Sequence, residues 1–401
     1  MTAPRPAALI FIWITVMLDM LAIGLIAPVL PRLVESMSGG NTVNAAHALG
    51  VFGTAWALMQ FIAMPVIGSL SDRFGRRPVV ILSNLGSGLD FLFMALAPSL
   101  AWLFVGRLIS GITAASVSTG FAYIADVTPA ERRAKAFGQV GVAFGLGFIL
   151  GPAAGGVLGE IDPRLPFWVA GGLSLANALY GYFVLPESLP PNKRGAFRWR
   201  HANPVGALAM LRARPALFGL SGVLFLAQLA HVALPAITVL YAGNRYGWTE
   251  AQLGLLLAAV GAASIIVQGV LVGPVVRRFG ERRAMLLGLF GGALGFAGYG
   301  LAPSGMWFVA AIPVMALWGI GGPALQALMS ARVAAEEQGR LQGATSSLQG
   351  IAGLMGPGLF TTALALAIGD WAWIGVPGLP MLVASALLLG AVALGWRVTR
   401  G

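Results

Sequence analysis

The sequence contains no cysteine, and its three histidines stand far apart at positions 47, 201 and 231. Disulfide frameworks, thiol nucleophiles and thiolate metal sites are therefore excluded, and no metal centre is expected from so scattered a set of imidazoles. Charge is scarce as well. Asp, Glu, Lys and Arg make up 10% of the 401 residues, against about 25% in soluble domains. No glycine-rich phosphate loop ending in Lys-Ser or Lys-Thr occurs, so ATP is not the expected energy source.

In place of charge the chain carries 58% hydrophobic residues, with 56 glycines and 24 prolines. Apolar runs of the length that spans a bilayer recur from end to end. Helices in lipid tolerate both glycine and proline and pack closely through small residues. The expected fold is an all-α integral membrane protein with twelve spans, at about 7–30, 47–69, 78–97, 101–123, 136–158, 166–185, 215–241, 250–275, 284–302, 305–330, 341–368 and 374–396. The first is too long for the core of a signal peptide and carries Asp19, so it reads as a retained helix. Residues 186–214 are polar, basic and rich in proline, which makes them a linker between an amino-terminal bundle, 1–185, and a carboxy-terminal bundle, 215–401.

Basic residues give the orientation. Twenty-one of the 25 Lys and Arg residues fall on the side of the amino terminus and the linker, and three (Arg32, Arg164 and Arg245) on the other; Arg107 lies within a span. This bias predicts that both termini and the linker are cytoplasmic. It also accounts for the net charge of +11 without a nucleic-acid partner, because the cations sit in short loops at a membrane face.

The chain repeats itself at an offset of 205 residues. Arg73-Phe74-Gly75 recurs as Arg278-Phe279-Gly280, and "LAPS" at 96–99 recurs at 301–304, followed by Trp102 and Trp307. Glu131 aligns with Glu336, Gly138 with Gly343, and Gly151-Pro152 with Gly356-Pro357. Such a duplication predicts two pseudo-symmetric six-helix bundles of parallel topology, able to rock about a central cavity as a carrier does.

The repeated turn reads "GSLSDRFGRRP" at 68–78 and "GPVVRRFGERR" at 273–283. Glycine permits the bend, and the arginines can grip helix C-termini and acids. The candidate gating residues are Gly68, Asp72, Arg73, Gly75, Arg76 and Arg77, with Asp126 as an acid within their reach. The plainer reading is a solvated loop that sets orientation. In the second copy, where Arg277 stands in place of Asp72, the two readings have equal weight.

Asp19 and Asp90 lie inside the first and third spans. A carboxylate at bilayer depth costs about 2.5–3.5 kcal/mol on insertion scales and normally faces a cavity or a partner. Both are candidates for proton coupling; a neutral, hydrogen-bonded structural acid is the alternative for each. Arg107 is the third candidate. A pairing with either acid would tie proton uptake to its position, a static ion pair would not, and near the interface it would snorkel. Gly147, Gly151, Pro152, Gly155 and Gly156 strip side chains from one face of the fifth span, for close packing and for a hinge or seal. The second half places no acid within a span. Its interior polarity comes from Gln228, His231, Ser264, Gln268, Gln326 and Gln349; a lone helix histidine such as His231 is more often a packing or pore residue than a relay.

The loop at 68–78 resembles the signature of the major facilitator superfamily, and "GLGFILGPAAGG" at 145–156 resembles the glycine-proline motif of its proton-coupled antiporters. More narrowly, "LDMLAIGLIAPVLP", "WALMQ", "GRLISGITAA", "AYIADVTPAERR" and "GERRAMLLG" are similar to the bacterial tetracycline efflux antiporters. The resemblance implies the major facilitator fold and a proton-driven exporter of an amphipathic drug, with tetracycline the foremost candidate. It further implies a monomer in the bacterial inner membrane, no cofactor beyond the proton gradient, and magnesium carried with the cargo. Asp19 and Asp90 match the family's coupling acids, and Gln60 and Gln268 its cavity glutamines, so that Gln60, Gln228, His231, Ser264, Gln268 and Gln326 form the candidate substrate site. The family's acid in helix 9 is here Gly292, and its frequent helix 8 histidine is Ser264, which bears on the magnesium-bound cargo. A carrier for another small organic compound and a membrane-embedded hydrolase using Asp19 and Asp90 are the alternatives.

Overall fold

The computed structural model describes residues 6–113, 116–128, 130–194, 211, 215–334 and 337–400. Glu336, His201 and the greater part of the linker, 195–210 and 212–214, lie outside the described residues. Regular structure among the described residues is entirely helical. Ten stretches are long and apolar enough to cross a membrane. One of them, Glu250–Leu301, runs for 52 residues but turns at Gly280, whose φ of 74° breaks it into two crossings. The shorter apolar helix Leu100–Thr113 supplies another, which agrees with the expected twelve.

The helices of the first half are α1 (Pro6–Ile26), α2 (Leu30–Met37), α3 (Thr42–Phe74), α4 (Arg76–Ala95), α5 (Leu100–Thr113), α6 (Ser116–Val127), α7 (Ala130–Ile161) and α8 (Leu165–Val184). Pro28, which has no N–H to offer, interrupts the first crossing between α1 and α2. The second half continues with α9 (Pro215–His231), α10 (Ala233–Tyr246), α11 (Glu250–Ile266), α12 (Val272–Leu301), α13 (Gly305–Ala310), α14 (Ile312–Ala316), α15 (Gly321–Ser330), α16 (Gln338–Ile368) and α17 (Leu379–Val398). The last crossing begins later than the apolar pattern predicts, because Ala372–Ile374 form a 3-10 turn that Gly375 ends with a φ of 70°. Thr249 and Gln252 start α11 as a reciprocal cap: each backbone N–H is bonded by the other's side-chain oxygen, at 3.0 and 3.4 Å.

By packing, the chain divides into two compact units. The first comprises Met1–Met37, Ala55–Asn203 and Thr249–Ala258, and the second Ser38–Thr54, Pro204–Trp248 and Ala259–Gly401. In the first unit α1 lies along α7 and α8, and α4 packs on α8 and α5. Its core gathers Ile12, Val16 and Met20 with Val80, Tyr123, Ile124, Val140 and Leu185. Glycines bring α4 and α8 together, since Gly88 sits under Leu175 and Gly171 under Leu92. In the second unit α12 and α9 pack on α17, and α12 also packs on α15. There a buried aromatic layer forms around Tyr299 and Phe308, stacked with ring centroids 4.2 Å apart.

The three cations on the sparsely charged side are all engaged. Arg164 donates to the carbonyls of Ala95 and Ala97, both at 2.9 Å. Arg245 donates to those of Gly300 at 3.4 Å and Ala302 at 2.8 Å. These carbonyls close α4 and α12 and are related by the 205-residue offset, although the arginines come from unrelated positions. Arg32 pairs with Glu35 at 3.0 Å.

Candidate functional site

The repeated turn has the same backbone in both copies. Gly75 takes a φ of 108° and Gly280 one of 74°, the left-handed region that a side chain disfavours. Around the first copy a dense polar network forms. Arg76 bonds Asp72 at 2.7 Å and Asp126 at 3.1 Å, and also reaches the hydroxyl of Ser71 at 2.5 Å. Arg77 donates to the carbonyl of Tyr182 at 2.6 Å, at the end of α8, and lies over the ring of the same residue. Arg73 stacks on its neighbour Phe74, and the space around Gly68 is open.

Two residues the sequence did not single out complete this network. Glu187 accepts the backbone N–H of Arg76 at 2.9 Å and thereby caps α4 from beyond α8. Its other oxygen lies 3.8 Å from Arg194. Ser188 donates to Asp126 at 3.2 Å. The start of the linker is thus bound into the turn. In the second copy Arg282, the counterpart of Arg77, docks in the same manner against the end of α17, bonding Thr399 at 2.8 Å and stacking on Trp396. Glu281 stands where Arg76 does, and Arg277, Ala331 and Val392 stand where the acids Asp72, Asp126 and Glu187 do.

The intramembrane acids are both buried, with 9% of Asp19 and 2% of Asp90 exposed, so neither side chain faces lipid. They have different partners. Asp19 accepts a hydrogen bond from Asn177 at 3.1 Å, and the same amide nitrogen reaches the carbonyl of Thr15 at 3.2 Å. Asn177, fully buried on α8, was not flagged by the sequence. Asp90 Oδ2 accepts from Ser110 on α5, while Oδ1 has no partner among the described residues. Arg107 is an electrostatic neighbour of Asp90 but makes no ion pair with it among the described residues. Its guanidinium lies 5.4 Å from the ring centre of Trp56 on α3.

The glycine face of α7 meets two helices. A side chain at Gly147 or Gly151 would collide with the α1 backbone at Leu21 and Gly24, and one at Gly155 with Leu25. Gly156 lies against the backbone of Glu250 and Ala251, and Pro152 against Gly24 and Gly254. Glu160 accepts the N–H of Ala251 at 3.4 Å. The arrangement recurs in the second unit, where Pro357 of α16 packs on Gly53 of α3 and Gly356 on Val232.

In the second unit three crossings lose regular helical form at one place. The first passes through a one-residue turn at Val232, where the N–H bonds the carbonyl of Leu229 at 3.2 Å. The next contains a π turn, Val267–Leu271, that carries Gln268. The third contains a 3-10 turn, Leu317–Ile320, that carries Trp318 and Gly319. The rings of His231 and Trp318 are 5.3 Å apart, and a Cβ at Gly319 would lie 3.3 Å from Gln268 Cγ. Irregular backbone at membrane depth occurs where it is buried in protein or lines a cavity, and π turns recur at functional positions. Gln268, His231, Gln228, Ser264 and, in the first unit, Gln60 have no hydrogen-bond partner among the described residues. Gln326 instead bonds Gln342 at 3.1 Å. Gly292 is closely covered, since a Cβ there would come within 2.8 Å of Trp318 Cγ and 3.0 Å of Leu388 Cδ1.

The profile of the Major Facilitator Superfamily matches residues 12–357. The chain belongs to the Major Facilitator Superfamily. It is a multi-pass membrane transporter. It is 38% identical to the class C tetracycline resistance protein of Escherichia coli, over 96% of this chain and 97% of the relative. The class G protein of Vibrio anguillarum is 37% identical over 93% and 94%. Among solved structures, a bacterial homologue of the human lysosomal transporter Spinster, in an inward-facing and occupied conformation, superposes with a TM-score of 0.78 at 18% identity, covering 100% of this chain and 98% of that one. That likeness concerns the fold alone.

Proposed function

We propose that this transporter is a proton-coupled antiporter that exports tetracycline across the bacterial inner membrane, as a monomer with both termini in the cytoplasm. The observation that carries the reading is Asp90, a buried carboxyl with one oxygen held by Ser110 and the other without a hydrogen bond among the described residues. A group so placed can bind a proton on one side of the transport cycle and release it on the other. Movement of Arg107 toward or away from it ties that proton to conformation. Asp19, held by Asn177, is the second coupling acid. The similarity to tetracycline resistance proteins over nearly the whole chain supports the cargo.

The proton gradient drives the exchange, and the protein needs no cofactor. The turn around Gly75, with Arg76 bound to Asp72 and Asp126, acts as a latch on the cytoplasmic face, and the glycine face of α7 as a seal. A hydrolase reading is disfavoured because Asp19 and Asp90 engage separate partners on separate helices, whereas an acid–base dyad needs them in one site. A second cargo, another amphipathic organic compound, is favoured by one observation: Gly292 is packed against Trp318 and Leu388 and leaves no room for an acid.

Everted membrane vesicles provide the test. With an acid interior and a pH-sensitive dye, addition of tetracycline should release protons in the wild type and not in Asp90→Asn. Full proton-linked exchange by both Asp19→Asn and Asp90→Asn would overturn the coupling, and release by other drugs but not tetracycline would overturn the cargo.

A further inference from the structure

We infer that Trp318 is the ring-stacking platform of the cargo site, and that the site takes a fused-ring aromatic compound free of any divalent metal. The inference rests on the exporter reading above for the identity of the site and adds the chemical form of what the site accepts.

Three observations carry it. First, the indole stands where three helix segments meet: its own 3-10 turn, the π turn of Gln268 and the one-residue turn at Val232 that follows His231. Backbone of this kind at membrane depth is buried in protein or lines a cavity, and the exposure of His231 and Gln268 there favours the lining. Secondly, two polar side chains near the ring have hydrogen-bonding capacity that no described residue uses. His231 and Gln268 are exposed and their side chains make no hydrogen bond among the described residues; the imidazole lies 5.3 Å from the indole, and Gln268 Cγ lies 3.3 Å from where a Cβ would stand on Gly319, the next residue after Trp318. Thirdly, glycine at 292 is what lets the indole lie there, because a Cβ at 292 would come within 2.8 Å of Trp318 Cγ. Phe296 backs the same ring edge-on at 5.7 Å.

A hard divalent cation is held by carboxylates and other charged or carbonyl oxygens. Among the described residues of the second unit the acids are Glu281, Glu337 and Asp370, all at helix ends, far in sequence from His231, Gln268 and Trp318. A side chain at position 292 would meet the indole itself. Stacking against a π face, with hydrogen bonds from Gln268 and His231 at the rim, suits a planar polycyclic molecule whose oxygens are not tied to a metal.

The experiment uses the full chain in everted vesicles and, in parallel, purified in detergent. In vesicles, tetracycline uptake by the wild type should persist within about twofold when EDTA replaces magnesium. Trp318→Leu should raise the KM for tetracycline about five- to tenfold, the effect of losing one ring contact, while Trp318→Phe keeps it near the wild-type value. Loss of uptake on chelation overturns the metal-free claim, and an unchanged KM in Trp318→Leu overturns the platform. In detergent, the tryptophan fluorescence quenched by ethidium or tetracycline is compared between wild type and Trp318→Phe. If the wild type carries no tetracycline, the cargo reading fails, and the platform is judged by this quenching alone. A smaller quench in Trp318→Phe upholds it, and equal quenching by both probes in the two proteins refutes it.

Discussion

Glu187 should control how firmly α4 begins. Its carboxylate accepts the N–H of Arg76, one of the donors that a helix leaves without a partner at its N-terminus. It also brings negative charge to the positive end of the helix dipole. Loss of such a cap costs about 0.5–2 kcal/mol. The pairing with Arg194, at 3.8 Å and with both side chains partly exposed, adds no more than a few tenths after solvent screening. Glu187→Ala should therefore loosen the first turn of α4 by roughly 1–2 kcal/mol, a factor of about 5–30 in local opening. Hydrogen–deuterium exchange of the peptide spanning residues 72–82 measures this directly. Exchange at Arg76 and Arg77 should quicken about tenfold, with Glu187→Gln in between because its amide oxygen still accepts. If the alanine variant exchanges as slowly as the wild type, the cap is not what holds the turn.

Gly155→Val should lower the melting temperature and the folded yield, at a cost of about 1–3 kcal/mol or more, because its side chain meets the backbone of Leu25, which has no rotamer to move; Gly172→Ala, with open space around it, should be neutral by the same thermal assay. Asn177→Leu removes the donor to a buried carboxyl, an effect of about 1–3 kcal/mol, and drug-linked proton release in vesicles should fall at least about tenfold. Arg164→Gln and Arg245→Gln each strip two carbonyls of a charged donor, so each should cost about 1–3 kcal/mol, read as a fall in thermal stability in detergent.

The fold was open to sequence reasoning because its signals are periodic. Apolar runs mark the crossings, and the 205-residue offset pairs Gly75 with Gly280, which adopt the same left-handed turn. Asp19 and Asp90 stood out because a lone carboxyl in an apolar run has few reasons to be there. Their partners did not. Asn177 and Ser110 are ordinary residues in helices, and only the packing of α8 on α1 and of α5 on α4 brings them to the acids. Glu187 was hidden in a segment whose prolines and charges describe a linker equally well. Trp318 was hidden by hydropathy, since an indole in an apolar helix carries no mark of the irregular turn beneath it. Arg107 shows a further limit: its position in a span called for an acid, a carbonyl or water, and packing gives it Asp90 as an electrostatic neighbour together with the face of Trp56.

Arg164 and Arg245 hold the corresponding carbonyls of the two halves from non-corresponding points of the chain. Each clamp belongs to the same half as the helix it closes, so neither half borrows this element from its twin. Split genes encoding the two halves should therefore each yield a product whose α4 or α12 terminus is already finished, and a swap of one half for that of a relative would carry its own fastening with it.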